Sequence, residues 1–185
     1  MPHYSVKQVY QKLVGDRPKV HWDKLVWNRL STPKHRFIAW LAIQSRLQTT
    51  AKLAGIGISN SSSCLICGQG DETHQHLFFE CSYSRQCLTE LKTWLDIRIA
   101  ATDLHLLYRS IRHGRSSKFR KQVYLAAIVA VVYLIWKCRN SVFWDCCIPT
   151  VKSTIGALKQ AVRSRIQIVM PKYVNRKDCN WFVNL

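Results

Sequence analysis

"SSSCLICGQGDETHQHLFFECSYS", residues Ser61 to Ser84, sets two cysteines two residues apart, then two histidines, then a third cysteine in a short apolar patch. Cys64, Cys67, His76 and Cys81 read as C-x2-C-x8-H-x4-C. Zinc takes four soft or borderline donors in a tetrahedron, and a Cys3His set supplies them. The two-residue gap lets both thiolates of a tight turn point at one ion, and Gly68 and Gly70 relieve the backbone just beyond it. His76 and Cys81 stand about one helical turn apart. His74 is a competing ligand that would stretch the last gap to six residues, so the spacing favours His76. Cys87 is a spare thiol expected on the buried face of the following helix. Two rival readings are weaker: core cysteines at chance spacing, and a redox C-x2-C, for which no thioredoxin-like strand–helix context is present. Four protein ligands leave no open position on the ion, which marks a structural rather than a catalytic site.

Working outward, the pattern is mostly helical. Ser5 can cap a short helix through Leu13 with Val6, Val9, Tyr10 and Leu13 on one face. A Trp-rich stretch, Trp22 to Trp27, precedes "PKHRFIAWLAIQSRL", where Pro33 suits the first helical position. Phe37, Trp40, Leu41 and Gln44 line one side of that helix. Thr49 or Thr50 opens a short helix ending near Gly55. After Cys81, "SYSRQCLTELKTWL" predicts a helix with Cys87, Leu88, Leu91 and Leu95 inward, and "DLHLLYRSIRH" continues helically to Gly114. A long helix is expected from about Ser117 to Trp144, apolar all round in its centre, which suits the central element of a bundle. The last helix starts near Pro149, with Val151, Ile155, Leu158, Val162 and Ile166 on its apolar stripe. Trp22, Trp27, Trp40, Trp94, Trp136 and Trp144 lie in apolar periodic contexts and read as core. Strand structure is limited to what the Cys64–Cys67 turn supports.

The chain has 185 residues, 48% apolar, enough for one domain with a packed core. Its 28 Lys and Arg against 10 Asp and Glu give a formal net charge of +18. Such an excess repels itself, and a polyanion would relieve it, nucleic acid first and an anionic membrane surface second. The charge is uneven. Residues 1–63 hold ten basic and two acidic residues, residues 64–100 three and five, and residues 101–185 fifteen and three. The cysteine-rich segment is therefore the least basic part, and a polyanion is expected on the flanking helices.

The densest basic run is "YRSIRHGRSSKFRK", Tyr108 to Lys121. It packs Arg109, Arg112, Arg115, Lys118, Arg120 and Lys121 into one corner, and Lys159, Arg163 and Arg165, with Lys34 and Arg36, extend it. These are the candidate phosphate-contacting residues; a solvated helix–loop–helix corner is the plainer reading. The N-terminus "MPHYSVKQVYQKL" lacks the apolar core of a secretory signal, so the eight cysteines are expected in a reducing compartment. "VYLAAIVAVVYLIW", Val123 to Trp136, is 14 residues long, short of the roughly 20 that span a bilayer, and reads as a buried core helix.

Taken together, "WDKLVWNRLSTPKHRFIAWLAIQSRLQTTAKLAGIGISNSSSCLICGQGDETHQHLFFEC" resembles the zinc-binding domain that follows the reverse transcriptase of plant non-LTR (LINE-type) retrotransposons. The Trp22/Trp27 pair, "PKHRFIAWLA", "RLQT", "CLIC" and "DETHQHLFFEC" appear in order, and "YSVKQVY" and "VYLIWKCRNSVFW" resemble the flanks. The resemblance places the metal ligands on Cys64, Cys67, His76 and Cys81, as the spacing does, and implies a role beside a polymerase, engaging template RNA or target DNA. The sequence holds no Tyr-x-Asp-Asp stretch for polymerase metals and no spaced acidic set for a ribonuclease H. Asp71 and Glu72 are neighbours on a loop and cannot form a two-metal site alone. The chain is expected to be the C-terminal piece of a retroelement protein, or a gene derived from one.

The sequence thus predicts a mainly α fold: a helical bundle with an embedded Cys3His zinc knuckle at 64–81. A module over 1–100 is expected to carry the knuckle, with a helical extension over 101–185 packed on it as one structural unit. The expected function is non-catalytic nucleic-acid binding, to RNA or DNA, with one structural zinc ion, inside the cell in nucleus or cytoplasm. No membrane and no small-molecule substrate are expected. The rival is a domesticated protein-interaction adaptor on the same scaffold.

Overall fold

A computed structural model describes residues 5–15, 20 and 22–185. Among these residues the fold is helical: α1 (Val6–Val14), α2 (Asp23–Val26), α3 (Pro33–Ile43), α4 (Thr50–Gly55), a π-helical turn (His76–Glu80), α5 (Ser82–Trp94), α6 (Leu104–His113), α7 (Lys118–Asp145), α8 (Val151–Val169) and α9 (Arg176–Val183). The only pairing of extended backbone among them is one antiparallel bridge, Ser63 to Asp71, beside the Cys64–Cys67 turn.

Helix α7 is the axis. Val123 to Val132 are ten consecutive buried residues, so this stretch is enclosed on every side, as its unbroken apolar run requires. By length and composition α7 could cross a membrane; here its apolar faces are covered by α3, α8, α5, α6 and α2. Ala126, Ala127 and Ala130 let neighbouring helices approach closely. The inward stripe of α8 is Ile155, Leu158, Val162 and Ile166, and that of α5 is Cys87, Leu88 and Leu91, continued by Leu95, both as the periodicity predicts.

Side-chain caps set the starts of α6, α7 and α8. The Asp103 carboxylate accepts from Leu106 N–H, the Ser117 hydroxyl from Arg120 N–H and the Thr150 hydroxyl from Ser153 N–H, each at the N-terminus of its helix. Pro33 opens α3.

Four expectations are corrected. Helix α3 does not bury Phe37, which is 55% exposed and lies against Trp40 at 5.9 Å. Its inward stripe is His35, Ala39 and Ala42, with the His35 ring 4.4 Å from that of Tyr133 on α7. Small residues permit the close approach of α3 to α7, whereas the sequence reading followed the largest side chains. Helix α6 is separate from α5: the chain leaves the helix through Asp96, at φ +49°, and restarts at the Asp103 cap. Helix α8 is not the last. Asn175 caps α9, which sets Phe182 edge-on to Phe119 and Trp181 edge-on to Tyr124. Finally, Trp27 and Trp144 are 59% and 77% exposed rather than core. Helix α1 forms where expected, yet Val6, Val9, Tyr10 and Leu13 are exposed: periodicity predicts the helix and not its burial.

Candidate metal centre and basic surfaces

Two tight pieces of backbone bring the four candidate ligands together. In the first, Gly68 N–H donates to Cys64 O at 2.8 Å and Cys64 N–H to Gly70 O at 2.9 Å. Gly68 and Gly70 take φ of +68° and +64°, left-handed conformations open to glycine at little cost. The second piece is the π-helical turn. In an α-helix, residues five apart lie about 140° apart around the axis, which would point His76 and Cys81 in different directions. Here Cys81 N–H donates to His76 O at 2.7 Å, the i to i+5 bond of a π turn, and both side chains reach the same site. The Thr73 hydroxyl, accepting from His76 N–H at 3.0 Å, starts this turn.

The donor atoms of Cys64, Cys67, His76 and Cys81 all lie within 4.8 Å of one another. Cys67 Sγ is 3.3 Å from His76 Nε2. A tetrahedral zinc with bonds of about 2.0–2.3 Å has ligand–ligand edges of roughly 3.5–3.8 Å, so donor set and spacing both fit that ion. Nε2 faces the cluster while Nδ1 faces Glu80 Oε2 at 3.9 Å, a carboxylate placed to orient the ring from behind. Cys64 and Cys81 are buried, Cys67 and His76 half-buried.

The thiol pKa values of Cys64 and Cys81 are shifted in opposite directions. The Cys81 thiol is pulled down to about 5 by a hydrogen bond from Cys64, against the opposing effect of burial, with help from Ser84 and Tyr83 N–H and from Cys67. Cys81 is the residue at which α5 begins, so these amides are the free donors of a helix N-terminus. Cys64, holding the shared proton and buried, is pushed up. Metal must displace that proton, which makes binding pH-dependent.

His74, the competing ligand, is used elsewhere: its Nε2 accepts from Leu47 N–H at 3.1 Å. Burial, then Lys52, lower its pKa to about 4, consistent with a neutral acceptor. Cys87 is buried on α5, as expected.

The sequence reading missed Glu72. Far from an open loop, its side chain is fully buried. Oε1 accepts from Thr50 N–H at 2.9 Å and from Arg139 Nε at 2.9 Å; Oε2 accepts from Leu65 N–H at 3.2 Å, between the first two cysteines. A signal existed, because Arg139 is the one cation on the inward face of α7, and a buried guanidinium needs an anion.

Nine of the eleven candidate phosphate-contacting residues divide into two groups. Arg109, Arg112, Arg115 and Lys118 are exposed at the α6–α7 corner, and Arg163 is exposed on α8; among the described residues none of the five pairs with a carboxylate. The other four are engaged in the fold. Arg120 Nε donates to Asp178 Oδ1 at 2.8 Å and its guanidinium lies 4.8 Å from the Trp181 ring. Lys121 Nζ donates to Arg112 O at 3.0 Å, Lys159 Nζ lies over Trp94, and Arg165 reaches Arg29 O at 3.4 Å. Arg36 is half-buried, and Lys34 lies over Tyr133.

Fold and site define the class, helical among the described residues, with a candidate Cys3His metal corner. Residues 4–87 match the family described as "zinc-binding in reverse transcriptase" (zf-RVT), and all four candidate ligands lie within the segment that is similar to it. The match ends within α5; α6 to α9 lie beyond it. No significant match is found among curated proteins or among solved structures.

Proposed function

We propose that this chain is a non-catalytic nucleic-acid-binding module held in shape by one structural zinc ion. On this reading it derives from the C-terminal part of a LINE-type retrotransposon reverse transcriptase protein, of the kind found in plants, and acts in the nucleus or cytoplasm. The observation that carries the reading is the α6–α7 corner, where Arg109, Arg112, Arg115 and Lys118 stand exposed, with no carboxylate partner among the described residues, on a chain of net charge +18. Unpaired cations kept on one corner repel one another, and phosphates would turn that cost into affinity.

Zinc, when bound, supplies a redox-inert tetrahedral cross-link. The chain's own groups set up that link: the Cys81 thiol, at the N-terminus of α5, is held below its ordinary pKa by its hydrogen bond from Cys64, and the Glu80 carboxylate stands 3.9 Å from His76 Nδ1. The non-catalytic assignment rests on two supports. Four protein ligands saturate the metal, and the buried carboxylates Glu72 and Asp178 are committed to Arg139 and Arg120. A two-metal nuclease or polymerase site needs acidic groups free to share cations.

The test is binding of full-length, zinc-loaded protein to fluorescent single-stranded RNA and duplex DNA near physiological salt, with unlabelled bulk nucleic acid and acidic polypeptide as competitors. Saturable binding displaced by nucleic acid supports the reading. No binding, or displacement by the acidic polypeptide alone, favours a protein-interaction adaptor. Metal-dependent strand cleavage that vanished on mutating a carboxylate would overturn the non-catalytic assignment.

A further inference from the structure

We propose that Arg139 is a positioning residue for the metal corner: acting through Glu72, it holds the Cys64–Cys67 turn in metal-binding geometry. The metal-binding unit then extends to α7, well beyond residue 87, where the reverse transcriptase zinc-binding match ends. The inference rests on the metal reading of the four ligands.

The Glu72 carboxylate gathers three separate segments. It takes the amide of Thr50 at the first turn of α4, the amide of Leu65 inside the C-x2-C turn, and the guanidinium of Arg139 from α7. Thr50 tightens the same knot, since its hydroxyl donates to Ser62 O and Ser63 O at 2.9 Å each. Glu72 N–H in turn donates to Ser62 O at 2.8 Å, closing the small hairpin from which the cysteines project. The carboxylate therefore stands behind the turn and fixes where Leu65 lies between Cys64 and Cys67.

An ionised carboxylate with no exposure to water needs a counter-charge. Arg139 provides it from a site built to hold a cation: it is 4% exposed, its guanidinium sits 5.2 Å from the Trp136 ring and 5.5 Å from the Phe143 ring, and Nη1 donates to Asn140 Oδ1. Without Arg139 the carboxylate is left buried with no counter-charge, and any shift toward water that relieves this weakens its acceptance from Leu65 N–H and frees the turn. Outer-shell groups that orient metal ligands typically change metal affinity by about 10- to 100-fold, and the same range is expected here.

The test uses full-length protein, with the zinc dissociation constant measured by competition against a chromophoric chelator. The absorption spectrum of the cobalt-substituted protein reports tetrahedral thiolate geometry. Arg139→Met should weaken zinc binding by about 10- to 100-fold and perturb the cobalt spectrum. Glu72→Gln/Arg139→Met should recover part of the loss, because the neutral amide needs no counter-ion and its one oxygen can still accept from Leu65 N–H, while its NH2 group then faces Thr50 N–H. Lys137→Met, exposed on the same helix, should change neither readout.

A folded Arg139→Met protein with wild-type zinc affinity and cobalt spectrum would overturn the inference while leaving the metal reading intact. If Arg139→Met does not fold, the double variant decides: folding with zinc bound supports the inference, and failure to fold overturns it. Wild-type protein that binds neither zinc nor cobalt would overturn both.

Discussion

The metal corner and the α6–α7 corner treat charge in opposite ways. Around Cys64–Cys81 charged and polar groups are drawn inward: Glu72 is buried against Arg139, and Cys81 accepts hydrogen bonds from Cys64 and from the amides of Tyr83 and Ser84. Around Arg109–Lys118, charges of one sign are left exposed, with no carboxylate partner among the described residues. Burying a charge is worthwhile only when geometry is fixed, so the first corner is where the molecule commits to a shape. Exposed charges contribute little to folding and remain available for binding. The difference assigns scaffold to one region and contact to the other.

Breaking the scaffold should have the largest effect. Cys67→Ser should lose the zinc ion and, with it, on the order of 10 kcal/mol of binding energy that supports the Cys64–Cys81 segment. Metal analysis and thermal unfolding check this; a metal-free protein with an unchanged melting curve would remove the scaffold half of the comparison. Lowering the pH should act in the same direction. Protons compete with the metal for thiolates, so zinc should dissociate as pH falls, readable by chelator competition across a pH series.

Next comes the buried pair. Removing Arg139 alone should cost about 3–5 kcal/mol, because it strands a buried carboxylate, and chemical denaturation of Arg139→Met measures it. A loss no larger than that of an exposed arginine would show that Glu72 has another means of neutralisation.

A smaller effect is expected at α9. For Asp178, burial raises the pKa, but hydrogen bonds from Ser117, Arg120 and Asn175 outweigh it and hold the carboxyl below its ordinary value. A depressed carboxylate stabilises the fold at neutral pH and loses that contribution as pH falls through its folded value. Asp178→Asn should therefore cost about 1–2 kcal/mol at pH 7 and progressively less in acid. Denaturation midpoints at both pH values test the sign: an equal loss in acid would mean the charge is not what matters.

How far these regions could be read from sequence follows from how local their causes are. The four ligands, the stripes of α5 and α8 and the Pro33 start of α3 rest on spacings within a few residues, and each was legible. The exact face of α3 was not, since only the proximity of α7 makes Ala39 and Ala42 the inward choice over Phe37. Helix α9 is short, with weak apolar content of its own, and is fixed by Arg120 and Phe119 from α7. Glu72 and Arg139 are 67 residues apart, so neither alone announces the pair. The π turn was hidden too: H-x4-C reads as one helical turn, and only the Cys81–His76 hydrogen bond shows how five residues close on one ion.

The contact half of the comparison is tested most directly by the salt dependence of nucleic-acid binding in Arg112→Ala/Arg115→Ala. Both side chains are exposed and unpaired, so stability should change by no more than about 0.5 kcal/mol. Each lost phosphate contact should reduce the slope of log K against log salt by about 0.7 on a single strand or about 0.9 on duplex. The account predicts a folded, zinc-loaded double variant that binds all sequences more weakly, with a slope flatter than wild type by about 1.4 to 1.8. A folded double variant with the wild-type slope would contradict it and move the contact to another surface.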